Sequence, residues 1–263
     1  MSPYLLLSLC ASALYGLIAW RMFRATTPPP VWLQILLSLV LLLHGALVYE
    51  SVLGRGVITL GFGNSLSTIL WLTACIYWVT SQRTPLFRIQ AWVTGLAAIA
   101  VLLPLAFPNA HAIPNSEALA LRAHLVVSLL AYSFFAIAAL HAVLMTTLEK
   151  KLHRGTVLGG GAPPLLTLEA VLFKTLMVGF VLLTLTVFSG IMFSEVLFGK
   201  PLQFTHKIVF AILSWLVFGG LLLGRHFRGW RGRIALHWTL TGFVLLVLAY
   251  VGTQFVLEVL LHR

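Results

Sequence analysis

Eight apolar stretches run through the chain, at roughly 3–20, 31–49, 65–81, 90–107, 122–146, 174–194, 205–224 and 234–260. A hydrocarbon core takes about 20 apolar residues in a helix, so each stretch is long enough to cross a bilayer. In lipid only helices and closed barrels satisfy the backbone, and runs of this length exclude barrel strands. The sequence therefore predicts an all-α polytopic membrane protein, a bundle of about eight transmembrane helices forming one integral membrane domain over 1–263. Composition agrees: 60% of the residues are hydrophobic and 9% are charged, whereas soluble domains carry about 45–50% and about 25%. The first stretch lacks a basic leading region and a small-residue cleavage site, so it reads as a retained helix.

Charge placement orients the bundle. The formal charge is +11, from 17 basic and 6 acidic residues. Basic residues follow the odd-numbered stretches: Arg21, Arg24, Arg83, Arg88, Lys150, Lys151, Arg154, Lys174, Arg225, Arg228, Arg231 and Arg233, which is 12 of the 17. Cytoplasmic loops hold the excess of Lys and Arg, so this side is predicted to be cytoplasmic and both termini periplasmic, in a bacterial inner membrane. The basic excess thus faces lipid headgroups, and nucleic acid is not a predicted partner.

Several chemistries are excluded. Cys10 and Cys75 lie in apolar runs and cannot form a cysteine-rich metal site. The chain has no Asp, which removes Asp-dependent triads and phosphoryl-transfer schemes. The run "VLGGGAPP" in the long connection from about 147 to 173 lacks the Lys-Ser/Thr ending of a phosphate loop.

Histidine is the informative residue, with nine against six acids. Ionisable groups inside a membrane are costly and are functional candidates by default. His44 lies about five residues before the outer end of the second stretch, and His124 in the first turn of the fifth; depth follows from about 1.5 Å of rise per residue. His206, His262 and the loop residue His111 also fall near the outer face. His141, His153, His226 and His237 stand toward the inner side. His141 reads as an interior hydrogen-bonding residue, His153 as a solvated loop residue and His237, beside Trp238, as an interfacial anchor. His44 and His124, flanked by apolar residues at similar depth, are the candidate metal ligands. Haem iron accepts an axial imidazole pair, whereas zinc prefers four ligands including Cys or carboxylate. A proton relay competes for the same histidines, but relays alternate with carboxylates, and here each Glu falls near a helix end or in a loop.

Five segments in order carry a family resemblance. These are "LLLHGALVYE" with His44, "GNSLSTILWL" with Asn64, Ser65, Leu66 and Trp71, and "LRAHLVVSLLAYSFF" with His124, Ser128 and Tyr132. The last two are "LLTLTVFSGIMFS" and "SWLVFGGLLLGRHFRGWRGR" with Trp215, His226, Gly229, Trp230 and Gly232. In these the chain resembles the cytochrome c assembly (CcsA-type) family of haem-handling membrane proteins, and within it the short YpjD-like inner-membrane branch. The resemblance implies haem as cofactor, a task in cytochrome c biogenesis at the outer face and another membrane protein of that process as partner. It marks His124 as an outer ligand, His262 as lying near the family's C-terminal outer histidine, and His226 as the histidine at the inner end of the penultimate helix. The second axial ligand stays open between His44 and His262. Where the family has a Trp-rich, Asp-containing external loop, this chain reads "FSEVLFGKPLQFTHK", with Phe193, Phe198, Leu202 and Phe204 in place of the tryptophans. Haem-lyase activity is accordingly left open, beside two rival readings: a non-catalytic assembly or regulatory partner, and a small-solute transporter.

Overall fold

The computed structural model describes residues 2–25, 27–54, 56–82, 87–108, 111–113, 116–154, 165–198 and 205–260. Eight helical segments within these are long and apolar enough to cross a membrane: Pro3–Arg24, Val31–Leu53, Phe62–Ser81, Ile89–Ala106, Leu119–Lys150, Leu165–Met192, His206–Arg228 and Gly232–Gly252. The chain is a multi-pass all-helical membrane protein. By its internal contacts it divides into two compact units, Met1–Ser116 with Glu258–Arg263, and Glu117–Leu257.

In the first unit α1 (Pro3–Arg24) starts on Ser2, whose Oγ accepts from the Leu5 amide at 3.4 Å, with Pro3 in the first turn. That is the favoured chemistry of a helix start, since a hydroxyl satisfies one orphan N–H and proline has none to satisfy. Arg21 and Arg24 close the helix, and the Arg24 guanidinium lies 4.5 Å from the Trp20 ring. The helix packs on α4 (Phe87–Ala100) and on α2 (Val31–Leu53), which follows the prolines 28–30. Next, α3 (Phe62–Ser81) packs on α2, α4 and the short α5 (Leu103–Ala106). The single stretch expected over 90–107 is thus two helices, because Pro104 falls in the first turn of α5 and cannot continue an α-helical ladder. A two-residue ribbon joins the connecting loops, β1 (Thr59–Leu60) antiparallel to β2 (His111–Ala112), with Leu60 opposite His111.

In the second unit α6 (Leu119–His153) lies along α7 (Leu165–Phe198), and α9 (Gly232–Val247) packs against both α6 and α8 (His206–Arg228). The buried face of α6 reads Ala131, Phe135, Ala138 and Ala142, helical spacing in which small residues let neighbouring backbones approach. Phe135 stacks on Phe218 with ring centroids 3.8 Å apart. Gly179 makes room for it, since a Cβ there would lie 3.2 Å from the Phe135 ring. Beyond α9 the winding widens into π-helical turns over Leu248–Gly252 and Phe255–Leu260. Leu42, Leu166 and Phe227 are among the large apolar side chains left exposed, as expected of surfaces that face acyl chains. Buried hydroxyls return their protons to the preceding turn, as Thr73 does to the Ile69 carbonyl at 2.7 Å. Such a hydroxyl offers no unpaired donor to lipid.

Both α6 and α7 outrun their sequence-based estimates of 122–146 and 174–194. Hydropathy marks the part of a helix that lies in hydrocarbon. The charged turns around Glu149 and Lys150 and the opening turns of α7 remain helical outside that range.

Candidate functional site

The two histidines singled out as ligands lie in different units and in different surroundings. His44 sits on the buried face of α2 with 0% exposure. Its Nε2 is 3.1 Å from the Ser67 hydroxyl on α3, and its ring stands edge-on to Tyr15 of α1 at 5.8 Å. Its Nδ1 is a buried atom with no hydrogen-bond partner among the described residues. One turn away the Trp71 indole donates to the Leu41 carbonyl at 2.8 Å. That ring lies against Gly45, where a Cβ would come within 2.7 Å of it. Farther along, the Asn64 amide donates to the Ser51 and Thr59 carbonyls at 3.0 and 3.3 Å. The motif residues His44, Asn64 and Trp71 therefore form one antiparallel seam between α2 and α3, which the sequence shows only as two separate runs.

His124 is half-buried in the second turn of α6, and its Nδ1 is 2.8 Å from the Ser189 hydroxyl on α7. The Ser189 oxygen also lies 2.6 Å from the Leu185 carbonyl and 3.2 Å from the Thr186 carbonyl of its own helix. The pair ties the imidazole on α6 to α7. Gly190 keeps the ring's flank open, since a Cβ there would lie 3.5 Å from His124 Cε1. The Nδ1 contact fixes the orientation of the ring, as a hydrogen bond to the second ring nitrogen does for metal-ligating imidazoles in general.

The remaining motif residues of this unit are largely structural. Tyr132 donates to the Leu246 carbonyl at 2.8 Å, just before the π-helical turns. Trp215 donates to Thr184 Oγ1 at 2.9 Å and stacks on Phe180. Gly229 takes the left-handed conformation, φ 65°, that ends α8, and the Trp230 amide reaches back to the Gly224 carbonyl at 3.2 Å. His226 is exposed in the last turn of α8 with its ring edge-on to Phe227 at 4.8 Å. His262 and most of the external segment (199–204) lie outside the described residues, as do the side chains of Phe193 and Phe198.

Among the other histidines, His141 is buried with Nδ1 on the Ile137 carbonyl at 2.9 Å, the interior role expected of it. His237 is exposed and bonds the Arg233 carbonyl at 2.7 Å.

Two acids do work that sequence position does not reveal. Glu169 is buried one turn into α7, where it accepts from Arg225 at 2.6 Å and faces Arg231 at 3.5 Å, tying α7 to α8 and the turn after it. Glu258 is 3% exposed, and its Oε2 accepts from the Phe62 amide at 2.8 Å. Phe62 opens α3, whose cap position is Gly61 and has no side chain to offer. The helix start is capped instead by a carboxylate 196 positions later in the chain, a favourable place for an anion at the positive end of a helix. Glu258 Oε1 lies 3.9 Å from His111 Nδ1. Among the described residues no cluster of three or more His, Cys, Asp or Glu exists that could hold a metal ion by itself.

These features define a polytopic helical membrane protein that offers single oriented imidazoles and has no multi-ligand metal centre among its described residues. The family profile described as Cytochrome C assembly protein matches residues 32–261, and the chain belongs to that family. It is 27% identical over 208 residues to "Inner membrane protein YpjD" of Escherichia coli (strain K12), covering 79% of this chain and 77% of the relative. It is also 33% identical over 88 residues to "Cytochrome c biogenesis protein CcsA" of Prochlorococcus marinus (strain AS9601), covering 34% of this chain and 28% of that one.

Proposed function

We propose that this protein binds haem at the periplasmic face of a bacterial inner membrane and handles it in cytochrome c biogenesis or a related process, with His124 as an axial ligand. The observation that supports this reading most directly is the anchoring of His124: its Nδ1 is 2.8 Å from the Ser189 hydroxyl of α7, which holds the ring in one orientation. An imidazole is also the ligand haem iron accepts singly, with the porphyrin supplying the rest. When bound, the iron would be a redox-capable centre whose potential the axial imidazole tunes. The chain's own residues hold that imidazole in register, Ser189 by its hydroxyl and Gly190 by leaving space beside the ring.

His44 and His262 are the candidates for the other axial position, and His226, at the inner end of α8, is a separate cofactor-binding candidate. His44 has an unpartnered buried nitrogen, but its ring is wholly enclosed and its Nε2 is engaged by Ser67. A ligand role for His44 requires the α2–α3 seam to open.

The test is an absorption spectrum of detergent-purified protein from haem-replete cells. A Soret band is expected. His124→Ala should remove or shift it, and Ser189→Ala should weaken haem retention by roughly 10-fold to 100-fold, the usual effect of losing a group that orients a metal ligand. Replacing His44 and His262 in turn assigns the second ligand. A spectrum without haem, or a Soret band unchanged by His124→Ala, overturns the proposal.

A further inference from the structure

Where α1 stops and α2 starts, the first unit carries two arginines with no acid beside them. Arg21 and Arg24 are exposed in the last turn of α1, three residues apart and so neighbours on the helix surface. Each lies over an indole. The Arg21 guanidinium carbon is 5.7 Å from the Trp32 ring of α2, and that of Arg24 is 4.5 Å from the Trp20 ring. Phe23, between them, stands edge-on to Trp92 of α4 with centroids 5.0 Å apart. Trp20, Trp32 and Trp92 are 49%, 52% and 59% exposed, and tryptophan is the residue that favours the headgroup layer of a bilayer.

The indoles hold the guanidiniums without using their hydrogen bonds. An indole attracts a cation through its ring face, and its one polar group is a donor. Each arginine therefore keeps its N–H groups for another acceptor, and neither forms an ion pair or a hydrogen bond with another described residue. No acid stands at this end. Helices α1 and α4 contain no Asp or Glu, and the one acid of α2 is Glu50, about 27 Å of helix beyond Trp32 at about 1.5 Å per residue. The start of α2 adds no negative charge either: Pro30 supplies no side-chain cap and the first turn holds no acid. Basic residues also suit the carbonyl end of a helix, but that role alone requires no tryptophan beneath either one.

From this arrangement we infer that the α1–α2 end binds a net-anionic phospholipid, its phosphodiester held by Arg21 and Arg24 in the leaflet that borders this end. A guanidinium presents N–H donors in a fixed fork that matches two oxygens of one phosphate. The exposed rings of Phe23 and Trp92 give the glycerol and upper acyl chains an apolar wall. An ethanolamine or choline headgroup would bring its own cation beside two guanidiniums, with no carboxylate to receive it. A phosphoglycerol headgroup brings none, so the site selects by net charge.

The experiment is native mass spectrometry of the full-length protein, delipidated in detergent and titrated with phosphatidylglycerol, phosphatidylethanolamine or phosphatidylcholine of matched chains. Phosphatidylglycerol should bind most tightly. Arg21→Gln/Arg24→Gln should weaken its binding by roughly tenfold to thirtyfold, the scale expected of two interfacial arginines, and remove the preference. Trp20→Leu/Trp32→Leu keeps both charges and should still lower the preference roughly fivefold. These positions are half exposed, so this variant tests the site even if the arginine variant does not fold. Arg228→Gln, which removes an exposed charge from the other unit, should leave the preference intact. Inorganic phosphate at the lipid's concentration should not displace phosphatidylglycerol. Four results overturn the inference: equal binding of the three lipids, a loss from Arg228→Gln as large as that from the arginine pair, a preference unmoved by removing the indoles, or displacement by inorganic phosphate.

Discussion

At the scale of single residues, what separates the histidines of this chain is the set of side chains each ring meets. His124 and His44 read alike in sequence, each an isolated imidazole in an apolar run. In the folded chain Ser189 holds the first by its Nδ1, while Ser67, Tyr15 and Trp71 build the second into a packed seam. Glu258 teaches the converse lesson. Its place near the end of the chain suggests nothing, yet it caps α3. Glu258→Ala should destabilise the protein by about 1 kcal/mol, the typical cost of a lost helix cap. Glu258→Gln, which keeps an acceptor oxygen, should recover much of that. Thermal unfolding in detergent distinguishes them, and equal melting of both variants would remove the capping role.

At the scale of elements, the turn from α8 to α9 is the clearest case of a motif explained by packing. Gly229 has φ 65°, a conformation that costs an ordinary L-residue roughly 1–2 kcal/mol. Gly224 presents bare backbone to the Trp230 ring, and any side chain there would collide with the indole. Gly229→Ala should therefore lower stability by about 1 kcal/mol. Gly224→Leu should displace Trp230, which also packs on Trp238 with centroids 5.0 Å apart. Intrinsic tryptophan fluorescence reads the second effect, and an emission maximum that does not move contradicts it. The motif around His226 was legible as a pattern, but its glycines and tryptophan belong to helix termination, and His226 itself stands exposed beside it.

At the scale of the whole molecule, the charge distribution predicts that both termini face the periplasm. In a variant with Cys10 and Cys75 replaced by serine, a cysteine placed at Ser2 should react with a membrane-impermeant maleimide in intact cells. A cysteine placed at Arg228, the end of α8, should react only after permeabilisation. The opposite pattern inverts the assignment.

The number of membrane-crossing segments and the all-helical class were legible because hydrocarbon accepts so few solutions: long apolar runs must be helices, and length alone counts them. The family was legible because its motifs keep their order along the chain. What stayed hidden depends on side-chain partners across helices. Sequence could not show that Glu169 pairs with Arg225, that Ser189 holds the ring of His124, or that Glu258 supplies the cap Gly61 lacks. Hydropathy is a property of each residue with respect to lipid and can be summed along a chain. A hydrogen bond is a property of two atoms brought within about 3 Å, and only the tertiary structure decides which two.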